Sequence, residues 1–319
     1  MEKWQQIKKK HHYVWEYYLK NWSKNGRVYW LTPKGKVAND STKGLCRANE
    51  IYKISSLTND DVNFLLRFSE RSVLECQATH KALIKQYFDI SKVINKIDEF
   101  DVYDERLDLV RNVLLFNPLE NHYTAVESLA RAPIDALSMG DNSILNDAQS
   151  VMALSGYIAN QLMRTKKIKD RILDSIFSYN DFKVEFEEVV RQFEKNWWIL
   201  SLIFSCNVAY SLRASSARML LIENKSTTPF ITSDAPVVNI HPEYQANIGA
   251  LPIYDDLLFP ISPDYVLILP SSDTWCGLKD GADTDAVELL NRYTAQNAHI
   301  SIFGSDEKTV IDNKGYLIR

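Results

Sequence analysis

The feature that most constrains this chain is a change of hydrophobic period. From about 58 to 223, apolar residues recur at the three- and four-residue spacing of amphipathic helices, while both flanks carry short β-branched and aromatic segments. Thr58-Asn59-Asp60-Asp61 supplies a helix N-cap, and 62–88 (VNFLLRFSERSVLECQATHKALIKQYF) continues from it as helix. Further helices are predicted over roughly 103–116, 121–137, 144–163, 168–177 and 182–222, with Pro118, Pro133, Gly140 and the DNS triplet at 141–143 at their junctions. Upstream, 11–22 reads as a short helix or helical turn rich in aromatics. RVYWLT (27–32), the turn PKGK (33–36) and a return from Val37 read as a β-hairpin. Downstream of Asn224, 229–240, 257–270, 299–304 and 309–312 read as strands around a helix at 283–298. The pattern predicts an α+β fold: a predominantly helical body with an N-terminal β-hairpin and C-terminal strands forming a small sheet. With no Pro/Gly/Ser-rich linker, residues 1–319 are expected to form one domain, in parts 1–57, 58–223 and 224–319.

Composition narrows the function classes. A 45% hydrophobic content in 319 residues suffices for a large core, and a net charge of −4 implies no overall field for a polyanion. Cys46, Cys76, Cys206 and Cys276 lie far apart with no CxxC pair, so neither a zinc cluster nor a disulfide framework is expected, and a reducing cytoplasm is the simplest compartment. The N-terminal charges precede no apolar run, which speaks against a signal peptide. The most apolar helical stretch, WWILSLIF (197–204), is far shorter than the ~20 residues of a membrane span, so no membrane is expected. There is no Walker A loop, GxGxxG, GxSxG, HExxH or EF-hand loop.

Four groups of residues remain as carriers of chemistry. His11-His12 supplies imidazoles that move protons near neutrality; the alternative is a solvated edge or a cap. In YIANQLMRTKKIKDRI (157–172), Gln161 shares a helix face with Arg164 and Thr165, and Lys166 and Lys167 begin a basic stretch. That arrangement suits a phosphate or nucleic acid; equally, Arg164 could tie its helix to a buried acid, with solvated lysines beyond. Asp234 in FITSDAPVV could act as base, orient a histidine or hold a divalent metal, or it could close an Asx-turn. Asn291, on an otherwise apolar helix face, needs partners: the SDAP turn or a ligand. Pro260 and Pro263 mark FPISP as a structural turn, and His241 is a weaker candidate.

These segments resemble the DUF4238 family of bacterial proteins. The family's HHYVPxxYLxxF start corresponds to His11-His12-Tyr13-Val14, Tyr18-Leu19 and Trp22, with Trp15 where the family places proline. Its QxxRT motif corresponds to Gln161, Arg164 and Thr165, SDxPV to Ser233-Asp234, Pro236 and Val237, FPxS to Phe259-Pro260 and Ser262, and its C-terminal helix asparagine to Asn291. The resemblance names no reaction. It implies that polar motifs distant in sequence either converge on a site or support a shared buried network. Two functions follow as expectations. One is a phosphodiesterase or nuclease, an effector in anti-phage defence, with His11 or His12 as acid or base, Arg164 on phosphate, Asp234 orienting the histidine or holding a metal, and Gln161, Thr165, Lys166, Lys167 and Asn291 binding a nucleic acid or nucleotide. The other is a non-catalytic regulatory protein that binds a partner protein.

Overall fold

A computed structural model describes residues 5–100, 103–178, 183–246 and 254–318; the first residues of the N-terminal segment and the helix start expected at 182 lie outside that range. The chain opens with β1 (Lys10–His12), α1 (Glu16–Leu19) continued by a 3-10 turn, β2 (Arg27–Leu31), β3 (Val37–Ser41) and β4 (Arg47–Asn49). The helices α2 (Asn59–Glu70), α3 (Leu74–Asp98), α4 (Glu105–Ser138), α5 (Ala148–Met163), α6 (Lys166–Ser178) and α7 (Lys183–Ala214) follow. The last part holds β5 (Leu220–Glu223), β6 (Thr232–Ser233), β7 (Val238–Asn239), α8 (Pro242–Ala246), β8 (Leu257–Pro260), β9 (Tyr265–Leu269), α9 (Thr284–Gln296), β10 (Ile302–Gly304) and α10 (Glu307–Asn313). This is an α+β fold.

The expected hairpin forms, with Tyr29 opposite Asn39 and Leu31 opposite Val37. Gly35 makes its turn at φ +77°, a conformation open to glycine without a Cβ clash. β10 then joins this hairpin to the C-terminal half, in a sheet of order β3-β2-β10-β6. A second sheet runs β5-β9-β8-β7, and β1 pairs with β4 alone.

Several local expectations are corrected. The stretch 11–22 is a short strand followed by one helical turn, because Lys10–His12 bond across to Arg47–Asn49. The helix expected through 62–88 breaks between α2 and α3, where Ser72 hydroxyl caps back to Phe68 O at 2.8 Å. Pro118 and Pro133 lie inside α4 and do not end it. A proline removes one helical donor, at Pro118 the partner of Leu114 O, and tertiary bonds hold the turn around it in place. Leu115 O, in the turn before Pro118, accepts Ile54 N–H at 3.0 Å, and the Asn117 side chain holds Lys8 N–H and Gln6 O. The β-branched run at 309–312 lies in α10, because the Asp306 carboxylate caps Thr309 N–H at 2.8 Å and outweighs strand propensity. The last long helix stops at Ala214 and not near 222, since Leu220–Glu223 pair with β9.

The core is continuous from helices to sheets at α1. Val14, Tyr18 and Trp22 pack with Ile134 and Leu137 of α4, Leu154 and Tyr157 of α5, and Phe259 and Leu267 of the second sheet. The buried Tyr18 hydroxyl lies 2.6 Å from Thr232 Oγ1 in one sheet and donates to Pro260 O, at 2.8 Å, in the other. Trp22 Nε1 donates to Phe230 O at 2.9 Å. Tyr18→Phe therefore leaves one buried acceptor, Pro260 O, and one buried donor, the Thr232 hydroxyl, unserved while keeping the ring. It is expected to cost about 1–3 kcal/mol, read as a lower urea midpoint at unchanged slope.

Candidate functional site

Strand alternation decides the fate of the two histidines. In β1 successive side chains face opposite sides, so His11 and His12 cannot share a role. His11 is fully buried. Its Nδ1 accepts Tyr52 N–H at 3.0 Å, its Nε2 bonds Lys8 O at 2.5 Å, and its ring stacks on Tyr52. That pairing makes Nε2 the protonated nitrogen, and burial holds the imidazole below its usual pKa. His12 occupies the other face, opposite Arg47 on β4. Its Nε2 is buried and makes no hydrogen bond. Burial lowers its pKa, and Arg47 and, more weakly, Arg164 reinforce the shift, while Glu16 opposes it.

Arg164 is linked to the end of this strand through Gln161 and acts on His12 through its charge. It caps the end of α5, is 2% exposed, and makes an ion pair with Glu127 Oε1 at 2.8 Å. Its Nε and a terminal nitrogen donate to Gln161 Oε1, and its guanidinium covers the Tyr123 ring. Gln161 in turn donates from Nε2 to Tyr13 O at 2.9 Å, which fixes the residue after His12. The buried Thr165 hydroxyl returns to Leu162 O.

Two acids complete the cluster. Glu120 and Glu127 are seven residues apart on α4, two turns along one face. Burial raises both carboxyls; Arg164 opposes the shift at Glu127, and at Glu120 burial together with Glu127 lifts the pKa to about 7, against the pull of Arg164, Lys8 and Arg47. Expecting a break at Pro118 hid this pair; reading the helix through the proline places both carboxylates on one stripe. Arg47, from the sequence-distant β4, is the other contributor that local pattern did not reveal.

Asp234 sits one step away. Its carboxylate accepts backbone N–H groups from His299 and Ile300, both at 2.8 Å, and from Ser301 at 3.2 Å. Burial pushes its carboxyl up against those three amides. Between Asp234 and Arg164 stands Cys46, buried and held at φ +51°, whose carbonyl accepts Tyr13 N–H at 3.0 Å. Burial, reinforced by Asp234, raises the Cys46 thiol well above its ordinary pKa.

The basic stretch divides. Lys166 is exposed, whereas Lys167 turns inward and donates to Ala298 O at 2.9 Å and Gln296 O at 3.3 Å, at the end of α9. Burial and the nearby Arg171 bring the Lys167 pKa down to about 7. Arg171 reaches Tyr244 and Asn297. Asn291 serves a separate task on α9, accepting Ile231 N–H at 3.0 Å and donating to Pro229 O at 2.9 Å. The structure thus gathers His12, Gln161, Arg164 and, through Tyr13 and Cys46, Asp234. It leaves His11, Asn291 and Lys166 outside that group. Among the described residues, the set of His, Cys, Asp or Glu groups whose ligand atoms converge lies elsewhere, at Cys76, His80 and Cys206 on α3 and α7.

The Glu120 shift has a signed consequence. The folded state holds this proton between the ordinary carboxyl value of 4.5 and about 7, where the unfolded chain releases it. The group's stabilising contribution is therefore full at low pH and lost as pH rises through about 7. Glu120→Gln stays neutral, so its Tm should exceed the wild-type value at pH 8 and converge with it towards pH 4.5. Parallel Tm curves across that range would contradict the assignment.

A family model described as "Protein of unknown function (DUF4238)" matches residues 10–308. No curated protein and no solved structure matches the chain. The match runs from the His11-His12 strand to α10 and takes in every motif described above, so the chain belongs to the DUF4238 family.

Proposed function

We propose that this protein hydrolyses phosphodiester bonds at the His12 face of the β1–β4 ribbon. The observation that carries the reading is the His12 Nε2: a buried proton-transfer atom without a hydrogen bond, flanked by Arg47 and backed by Arg164. By strand register, Lys10, His12, Arg47 and Asn49 face one way, which sets cationic side chains around that imidazole. Glu120, with its pKa near 7, is the second proton-transfer group, and it shares Arg47 and Arg164 as electrostatic neighbours with His12. In this reading His12 takes the proton of the attacking water, Glu120 returns one to the leaving oxygen, and Arg47 meets the phosphate. Arg164, too buried to touch substrate, positions the site and keeps its potential positive. Asp234 shapes the 299–301 turn and does not orient the histidine.

His12→Ala is expected to lower turnover of RNA, single-stranded DNA or an activated phosphodiester by 10²–10⁴-fold, roughly the range of general acid–base catalysis, at unchanged Tm. A wild-type protein inert on all three substrates, or a His12→Ala protein as active as wild type, would defeat the proposal.

A second reading has its own support: His11, Gln161, Arg164, Asp234 and Asn291 each bond to atoms of the protein itself. Under it, the shared motifs are a buried network in a non-catalytic protein that binds a partner protein. Arg164→Met would then lower stability by about 3–5 kcal/mol, because Glu127 loses its countercharge. Adding Glu127→Gln should restore most of that loss in a denaturant titration, and the partner is sought with the stable double variant as control.

A further inference from the structure

Helix spacing places Cys76 and His80, four residues apart, on one face of α3, and α7 brings Cys206 against them across 130 positions of sequence. The Cys76 thiol lies 3.7 Å from the Cys206 carbonyl. The ligand atoms of all three residues lie within 4.8 Å of one another. His80 is 0% exposed, and neither of its ring nitrogens makes a hydrogen bond. A fully buried imidazole without a well-formed hydrogen bond is costly, and here it lies beside two thiols, which together point to a ligand. The Ile203 carbonyl lies beside the ring and can accept from the nitrogen that carries the proton, which leaves the other nitrogen as the ligand atom.

We propose that Cys76, His80 and Cys206 form a binding site for a thiolate-seeking transition-metal ion of the Zn²⁺ class, with a fourth coordination position open to the adjoining pocket. Tetrahedral coordination at ordinary Zn–S and Zn–N lengths needs ligand atoms roughly 3.4–3.8 Å apart, so a contraction of about 1 Å closes the site by side-chain rotation. Two thiolates and an imidazole select against Mg²⁺ and Ca²⁺, which take oxygen ligands. On binding, each thiol releases its proton to solvent, and the two thiolates neutralise the ion, which suits a buried place. The fourth position faces a pocket of about 200 Å³ lined by Glu75, Thr79, Met152, Tyr210 and Arg213. A bound water there meets polar groups of both charges. With three protein ligands and one open position, the site has the donor count of a reactive metal centre and not of a closed structural one. The inference is independent of the phosphodiesterase reading, because it is tested by metal binding directly.

The test uses the full chain, purified under reducing conditions without chelator. Reduced protein is titrated with Zn²⁺ and, separately, with Co²⁺, and bound metal is counted. One equivalent per chain is expected, with a thiolate-to-cobalt charge-transfer band in the near ultraviolet and a Tm that rises with added Zn²⁺. Cys206→Ser and His80→Ala should abolish the band and the stoichiometric binding. Cys206 is only half-buried, so its variant remains informative if the His80 or Cys76 variants fail to fold. Cys46→Ser and Cys276→Ser should bind metal like wild type. Absence of the band in reduced wild type, or its persistence in Cys206→Ser, overturns the proposal. So does a Cys76–Cys206 disulfide in the isolated protein that, once reduced, still takes up no metal.

Discussion

Arg164 is a cation that cannot be deprotonated, and it lies in the interior at 2% exposure. Such a group must find an acid and acceptors for its fork of donors, and the surrounding structure is arranged to provide them. Glu127 on α4 supplies the charge, Gln161 on α5 supplies an acceptor, and Tyr123 supplies a ring face. With its oxygen turned towards Arg164, Gln161 has only its NH₂ left to offer, and it offers it to the Tyr13 carbonyl. The chain of contacts thus sets the N-terminal strand against two helices that follow it by more than a hundred residues. A buried ion pair of this kind is a weak source of net stability, since desolvation offsets much of the attraction; its effect is to define one arrangement of three segments.

The same rule recurs through the protein. Segments outside regular ladders carry backbone polar groups that need partners when buried. His11 serves Tyr52 and Lys8, Asp234 serves 299–301, Asn291 serves Pro229 and Ile231, and Lys167 serves the carbonyls that end α9. Each is a polar side chain tying its own element to the irregular backbone of another. Against this background the unserved groups stand out. Among the buried side-chain atoms without a well-formed hydrogen bond, which include Tyr157 Oη, Trp197 Nε1 and Trp275 Nε1, those of His12 and His80 are imidazole nitrogens that can carry a proton or a metal. Since unpaired buried polar atoms are uncommon in folded proteins, these two histidines mark the positions where binding or proton transfer has physical motive.

The sequence by itself determined what depends on neighbours within a turn or two. The 27–41 hairpin, the Thr58 cap with Asp61, the α5 periodicity and the one-face grouping of Gln161 with Arg164 all rest on such local terms. The buried acid that pairs with Arg164 was legible too, whereas the local Asx-turn expected at Asp234 does not form, because its carboxylate takes the distant amides of 299–301. Local terms misled where a distant partner outweighed them: β4 drew 10–12 into a strand, and the turn around Pro118 in α4 is held by bonds to Ile54, Lys8 and Gln6; at 309–312 one local term, the Asp306 cap, outweighed another, strand propensity. Only the tertiary structure decided that His11 and His12 face opposite sides, that Glu120 and Glu127 lie beside Arg164, and that Cys76 and His80 meet Cys206. Spacing in sequence carries no record of such meetings, because they depend on how several elements pack. The protonation of each group then follows from the burial and neighbouring charge that packing imposes.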